Sequence, residues 1–433
     1  MDAAPSVRFP RMMAVRQNSP VTPPLDIMAT VGRELETSGI LSRLGPGARV
    51  AVGVGSRGIT NLARIVTAVI DCLKAAGANP FIIPAMGSHG GATPEGQTGI
   101  LADYGVTEKS MGVSIRASLE VQWIGKSEHG VEVFLSKEAL NADGILLINR
   151  VKPHTDFRNT LGSGIMKMIA IGLGKQAGAA TCHRAAGRIG FQPVLTGNAR
   201  VALGQARILG GVAIVEDQHH QTARIALLKA DEIEAREAEL LMEATRLLPR
   251  LPFDDIDLLI VDRIGKNISG TGMDPNVIGR WVHGYSTFLG DDTRVKPRIR
   301  RIFVRELTPE SHGNAVGIGL ADLTTTRLVN AMDKRISYVN SLTALTLGLV
   351  KIPIHFDTDQ ECVAQALMSL ALPDTAQAKV IRIRDTLSLL DLEVSEAYAG
   401  AVAERSDLDS RGSKFEMSLD AQGNLASLRS GGF

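Results

Sequence analysis

Histidine, lysine and arginine recur in this chain in settings where each can do chemistry. His89 lies within Met86 to Ala92 (MGSHGGA), an imidazole set between glycines with little cover from its neighbours. Imidazole titrates near neutral pH and can both give and take a proton. His154 follows Lys152-Pro153 and precedes Asp156 and Arg158, in a segment too polar and too rich in glycine to be a plain connector. Lys167 is flanked by Ile165, Met166, Met168 and Ile169. Such surroundings desolvate an amine and favour its neutral, nucleophilic form, although a lysine snorkelling from a helix face would read the same way. His183 stands beside Cys182, and a neutral imidazole with a thiolate can hold a transition metal; the pair fits a core position equally well.

Two loops offer anion sites. Gly53 to Ile59 (GVGSRGI) would bring Arg57 to a strand end, where a guanidinium forks onto a carboxylate or phosphate. Gly53, Gly55 and Gly58 match a dinucleotide-loop spacing, but no acid follows the next strand near Ala85, so the fuller fingerprint is missing. The loop from Asp262 to Arg280 carries Lys266 among Gly, Asn, Ser and Asp, and is a second ligand-loop candidate. Gly162-Ser163-Gly164 does not make the Gly-x-Ser-x-Gly elbow of a serine hydrolase.

These residues sit where aliphatic runs end. Arg49–Val54, Pro80–Ala85 and Asp143–Asn149 read as buried strands; Asn61–Ala76 and Pro94–Tyr104 read as helices, the latter capped by Thr93. Strands separated by helices predict βαβ units and a parallel sheet. The expected fold is α/β in two domains, each a largely parallel sheet flanked by helices, the N-terminal one Rossmann-like. Glu232–Leu248 is an amphipathic helix running into Pro249 and Pro252, which predicts a boundary there. The domains are expected at 1–252 and 253–394, with the tail from about 395 to 433 a candidate to return to the first. In the second, a strand is expected at Ile256–Val261, helices near Thr324–Met332, Val339–Leu349 and Asp359–Leu372, and a strand at Lys379–Ile383.

Composition narrows the function classes. With 47 basic and 46 acidic residues the net charge is +1, which argues against a nucleic-acid partner. No run of about 18 apolar residues and no signal-peptide core is present, so a cytoplasmic protein without a membrane partner is expected. Three scattered cysteines, Cys72, Cys182 and Cys362, form no metal knuckle.

The ordered set His89, Pro153-His154, Lys167 and His183 resembles the nickel-pincer lactate racemase family. In that family one histidine follows a strand in a Gly-x-His segment and a second follows proline. A lysine in a Ser-Gly-rich segment joins the cofactor, and a histidine 16 residues on binds nickel; Lys167 and His183 keep that spacing. The resemblance implies an isomerase, a 2-hydroxy acid racemase or epimerase using a nickel pincer nucleotide (pyridinium-3,5-bisthiocarboxylic acid mononucleotide nickel). It implies His89 and His154 as paired acid–bases, Lys167 as the cofactor anchor with Gly162, Ser163 and Gly164 around it, and His183 as nickel ligand. For the substrate carboxylate, Arg57 is the first choice and Lys266 the second, in a cleft expected between the domains. Cofactor-making enzymes are implied as partners, and a homo-oligomer is possible. Val54 and Met166 stand where the family carries an acid and an arginine, and Asp156, Arg158 and Asn159 suit a larger, more hydroxylated acid than lactate. Two other readings keep the same residues: proton abstraction without a cofactor, and a non-catalytic module binding a small anion or the cofactor.

Overall fold

The structure is a computed structural model describing residues 7–19, 21–55, 58–154, 160–280, 282 and 296–429. It comprises two compact units, one formed by Val21–Leu248 and the other by the chain on either side of it. Both are α/β. Strand β1 (Met12–Gln17) precedes the first unit in sequence but belongs to the second.

In Val21–Leu248 the strands are β2 (Arg49–Val54), β3 (Asn79–Pro84), a separate hairpin of β4 (Val121–Lys126) and β5 (Glu132–Ser136), then β6 (Gly144–Arg150), β7 (Ile208–Glu216) and β8 (Thr222–Lys229). The main sheet runs β3-β2-β6-β7-β8, parallel except for the β8 edge. Val50, Ala51, Val52 and Val54 are fully buried, as a central strand covered on both faces requires. Each large aliphatic side chain so buried contributes about 1.5–3 kcal/mol. Gly53 in this run is set by packing, because a Cβ there would lie 2.5 Å from Leu147 Cδ2 of β6. Helix Leu62–Ala75 turns Ile65, Val66, Val69, Ile70 and Leu73 onto the sheet. Thr93 caps helix Pro94–Asp103 by accepting from Gly96 N–H. Since β3 lies on one side of β2 and β6 on the other, the chain reverses direction across the sheet between β2 and β6. Open α/β sheets bind ligands at the carboxyl ends of the strands beside such a reversal.

The second unit adds β9 (Asp255–Ile264), β10 (Arg298–Leu307), β11 (Leu323–Thr325), β12 (Ile354–Phe356), β13 (Val380–Ile383), β14 (Asp391–Ser395) and β15 (Leu408–Phe415). Its sheet runs β12-β11-β10-β9-β13-β14-β1-β15, the first five strands parallel and the last three antiparallel. Alternate residues of β9 feed cores on its two faces, Leu259 and Val261 in one, Leu258 and Ile260 in the other.

The division differs from the expected 1–252 and 253–394 because both ends of the chain are held in this second sheet. Strand β1 lies between β14 and β15, and Gln17 Nε2 donates to Arg250 O at 3.0 Å. The tail, as far as it is described, groups with the second unit. Arg305 Nη2 donates to Leu425 O and Arg382 Nη2 to Ala426 O, while Asp359 Oδ2 accepts from Leu425 N–H. The helix expected at Val339–Leu349 runs instead from Lys334 to Thr343. Asp333 caps its start by accepting from Ile336 N–H, and Leu345, at φ 56°, cannot continue it. Among the described residues no helix is long and apolar enough to cross a membrane.

Candidate functional site

The segments singled out by residue type follow β2, β3 and β6, three neighbours in one sheet. At the reversal, Asn149 near the end of β6 joins two of them. A Cβ on Gly55, just past β2, would lie 2.8 Å from Asn149 Oδ1, while Asn149 Nδ2 donates to Gly164 O at 3.0 Å. Arg150 pairs with Glu216 at the end of β7, and Glu216 Oε1 accepts from Thr60 N–H at 2.7 Å, which holds the far side of the β2 loop. Arg57, in that loop, lies outside the described residues, as do Asp156, Arg158 and Asn159.

Three of the four expected chemical residues converge. Lys167 Nζ lies 2.5 Å from His154 Nε2. His154, 7% exposed, stacks on Phe191 with ring centroids 5.5 Å apart, and His183 meets the same ring edge-on at 5.5 Å. Phe191 begins helix Phe191–Gln205, directly after helix Lys175–Ile189, which carries His183. Burial, and after it the charge of Lys167, hold the His183 imidazole down to about 4. At neutral pH it is therefore an unprotonated ring, the form that ligates metals. An imidazole nitrogen within hydrogen-bond distance of an amine can take its proton and leave the amine nucleophilic.

Lys167 sits on the short helix Ile165–Lys167, which continues into a π-helical turn, Met168–Gly172, a wide turn that recurs at functional positions. The segment before it is fixed by backbone contacts. Lys152 and Ser163 exchange both main-chain hydrogen bonds at 2.8 Å, closing the loop that contains His154. A Cβ on Gly162 would meet Lys152 O at 2.4 Å, and one on Gly164 would meet Glu237 Oε1 at 2.3 Å. Close packing thus accounts for both glycines.

His89 lies on a turn after β3 and is exposed; the turn packs on the π-helical segment through Gly87 N–H to Gly172 O at 3.2 Å. Lys266 belongs to the other unit, where its Nζ donates to Gly270 O at 2.6 Å. Cys182, beside His183, is no thiolate: burial pushes its thiol up to about 12, with Asn198 Nδ2 donating to the sulfur at 3.3 Å. Among the described residues no group of three or more His, Cys, Asp or Glu could hold a metal by itself. A metal held by the neutral His183 imidazole would therefore need donors beyond such a cluster.

Glu237 and Phe191 belong to no motif in the sequence. Glu237, fully buried, accepts from Met166 N–H at 2.9 Å and so holds the lysine-bearing turn; burial raises its carboxyl to about 7. Its signal lay in helix Ile233–Leu247, where it falls on the buried stripe with Ile233, Leu240, Leu241 and Ala244. Phe191 carried no chemical signal.

A two-unit α/β protein with histidines and a lysine at the carboxyl edge of a parallel sheet is the class these features define. The family model described as the lactate racemase N-terminal domain matches residues 31–189 of the chain. The solved structure of the lactate racemase apoprotein from Thermoanaerobacterium thermosaccharolyticum is similar over 88% of this chain and 94% of that one, with a TM-score of 0.50 and 15% identity. At that identity the likeness is one of fold. No curated protein matches the sequence.

Proposed function

We propose that the protein is a racemase or epimerase of a 2-hydroxy acid, working with a nickel pincer nucleotide held by Lys167 and His183. The observation that carries this reading is the meeting of His154 and His183 on Phe191, with Lys167 Nζ against His154, in a stretch that matches the lactate racemase N-terminal domain model. When bound, the group supplies a hydride acceptor for C2 of the substrate and a donor for its return. The chain's own work is then proton transfer and positioning. His89 and His154, on loops after different strands, serve as the two bases, one taking the hydroxyl proton and the other returning it. Phe191 restrains the His154 and His183 rings, and burial keeps His183 unprotonated. Arg57 is the proposed partner of the substrate carboxylate. The polar stretch Asp156–Asn159 makes a hydroxylated acid a better candidate than lactate.

The test is a panel of 2-hydroxy acids, followed by chiral chromatography, using full-length protein co-expressed with cofactor-making enzymes. Stereochemical inversion is expected, with nickel bound and a mass increase on the Lys167 peptide; His89→Ala and His154→Ala are each expected to lower turnover by about 10²–10⁴-fold. Absence of nickel, adduct and turnover together would overturn the reading. Retention of a C2 deuterium label through inversion separates hydride return from cofactor-free proton abstraction, which washes the label into solvent. Ligand binding that survives both histidine substitutions, without turnover, would mark a binding module instead.

A further inference from the structure

His89 is held on a turn that ought to be loose. Gly87, Gly90 and Gly91 take φ values of 61°, 66° and 64°, in the left-handed region that glycine enters most readily, and the imidazole is exposed. An acid–base group must nevertheless be presented in one place. What restrains the turn lies beneath it. Gln97, fully buried on helix Pro94–Asp103, donates from Nε2 to Gly87 O at 2.9 Å and to His89 O at 3.3 Å. Its amide oxygen lies 3.5 Å from Lys175 Nζ, which also donates to Pro84 O at 2.5 Å, at the end of β3.

Lys175 is an expensive residue to keep. Its side chain is wholly buried, its partners are a carbonyl and an amide oxygen, and it forms no ion pair among the described residues. It also takes φ 53° as the first residue of helix Lys175–Ile189, a conformation disfavoured for any side chain. A buried ammonium without an ion pair is destabilising, and burial accordingly lowers its pKa to about 8. The two costs coincide where one amine reaches from the helix that carries His183 to the strand end and the glutamine that hold His89.

We propose that Lys175 and Gln97 are a buried pair of positioning residues that lock the His89 turn to helix Lys175–Ile189 and so set where the His89 imidazole is presented. The proposal rests on the reading of His89 as an acid–base residue, but its primary test does not. Full-length Gln97→Leu, Lys175→Met and the double variant are compared with the unaltered protein by hydrogen exchange, without substrate or cofactor. Gln97→Glu is added because it keeps an acceptor for Lys175 while removing the donor to the two turn carbonyls. Amide exchange across residues 86–92 is expected to rise at least tenfold in each single variant and no further in the double one, while exchange across 176–189 stays within twofold. In cofactor-loaded enzyme that turns over, Gln97→Glu lowers kcat at least tenfold with KM within threefold. Unchanged exchange over 86–92 in folded Gln97→Leu and Gln97→Glu overturns the proposal, as do additive effects in the double variant. Should Lys175→Met not fold, the two Gln97 variants decide it. A wild-type protein without racemase activity refutes the functional reading and leaves the exchange result standing.

Discussion

Glu237 occupies a place on its helix where leucine would be ordinary, and it tunes the site through one hydrogen bond. Its Oε2 holds Met166 N–H, while Oε1 has no hydrogen-bond partner among the described residues. Because burial lifts its carboxyl to about 7 from an ordinary 4.5, the folded chain keeps a proton that the unfolded chain releases. The stability this confers is fully present below about pH 4.5 and is lost as pH rises through about 7. Glu237→Gln keeps an acceptor for Met166 and removes the titration. Between pH 5 and pH 8 its stability in denaturant titrations should improve relative to the unaltered protein by about 2–3 kcal/mol, since each unit of pKa shift is worth roughly 1.4 kcal/mol. A constant difference between the two curves would mean that Glu237 ionises normally in the fold. At this scale, His154, Lys167 and His183 can be singled out from the sequence because residue type, neighbours and spacing are local properties. Glu237, Lys175 and Phe191 have no such local mark, since each acts through a partner distant in sequence: Met166 for Glu237, Gln97 for Lys175, and the His154 ring for Phe191.

Among the elements, the π-helical turn Met168–Gly172 does the joining. It follows the lysine directly, and its last residue meets the end of β3 so closely that a Cβ on Gly172 would lie 2.5 Å from Ala85 O. That obstacle is backbone and cannot swing aside. Gly172→Ala is therefore expected to cost about 1–3 kcal/mol in thermal or denaturant unfolding, as overpacking does, and to displace Lys167 from His154. The second effect is measurable as an altered rate of reductive methylation at Lys167; an alanine variant of unchanged stability and reactivity would refute the assignment. Strands β2, β3 and β6 were legible as aliphatic runs ending in glycine-rich loops. The π turn was not, because Ile165–Leu173 reads simply as an apolar helical stretch. Helix Lys334–Thr343 was misplaced for a related reason, its start being set by the Asp333 cap rather than by its apolar residues.

For the molecule as a whole, the α/β class followed from strand and helix alternation, but the division did not, because a six-residue strand such as β1 carries no mark of the sheet it will join. Val21–Leu248 is contiguous and has its own core. Expressed alone it should unfold in a single cooperative thermal transition with α/β circular dichroism. Deleting residues 1–19 from the full chain should do the opposite, leaving that transition in place and abolishing the second unit's, because β14 and β15 lose the strand between them. Two intact transitions in the truncated chain would show that β1 is dispensable.

The placement of β1 also orders events during synthesis. Arg16 and Asp391, paired across β1 and β14, are 375 positions apart. At about 5–20 residues per second, β1 leaves the ribosome roughly 20–80 s before its partner strand does. The unit bearing the histidines and Lys167 can fold while the rest of the chain is still being made. The last sheet to close is the one that needs both β1 and β14 translated, and until then β1, with Met12, Met13, Ala14 and Val15 unburied, is the nascent chain's exposed adhesive segment.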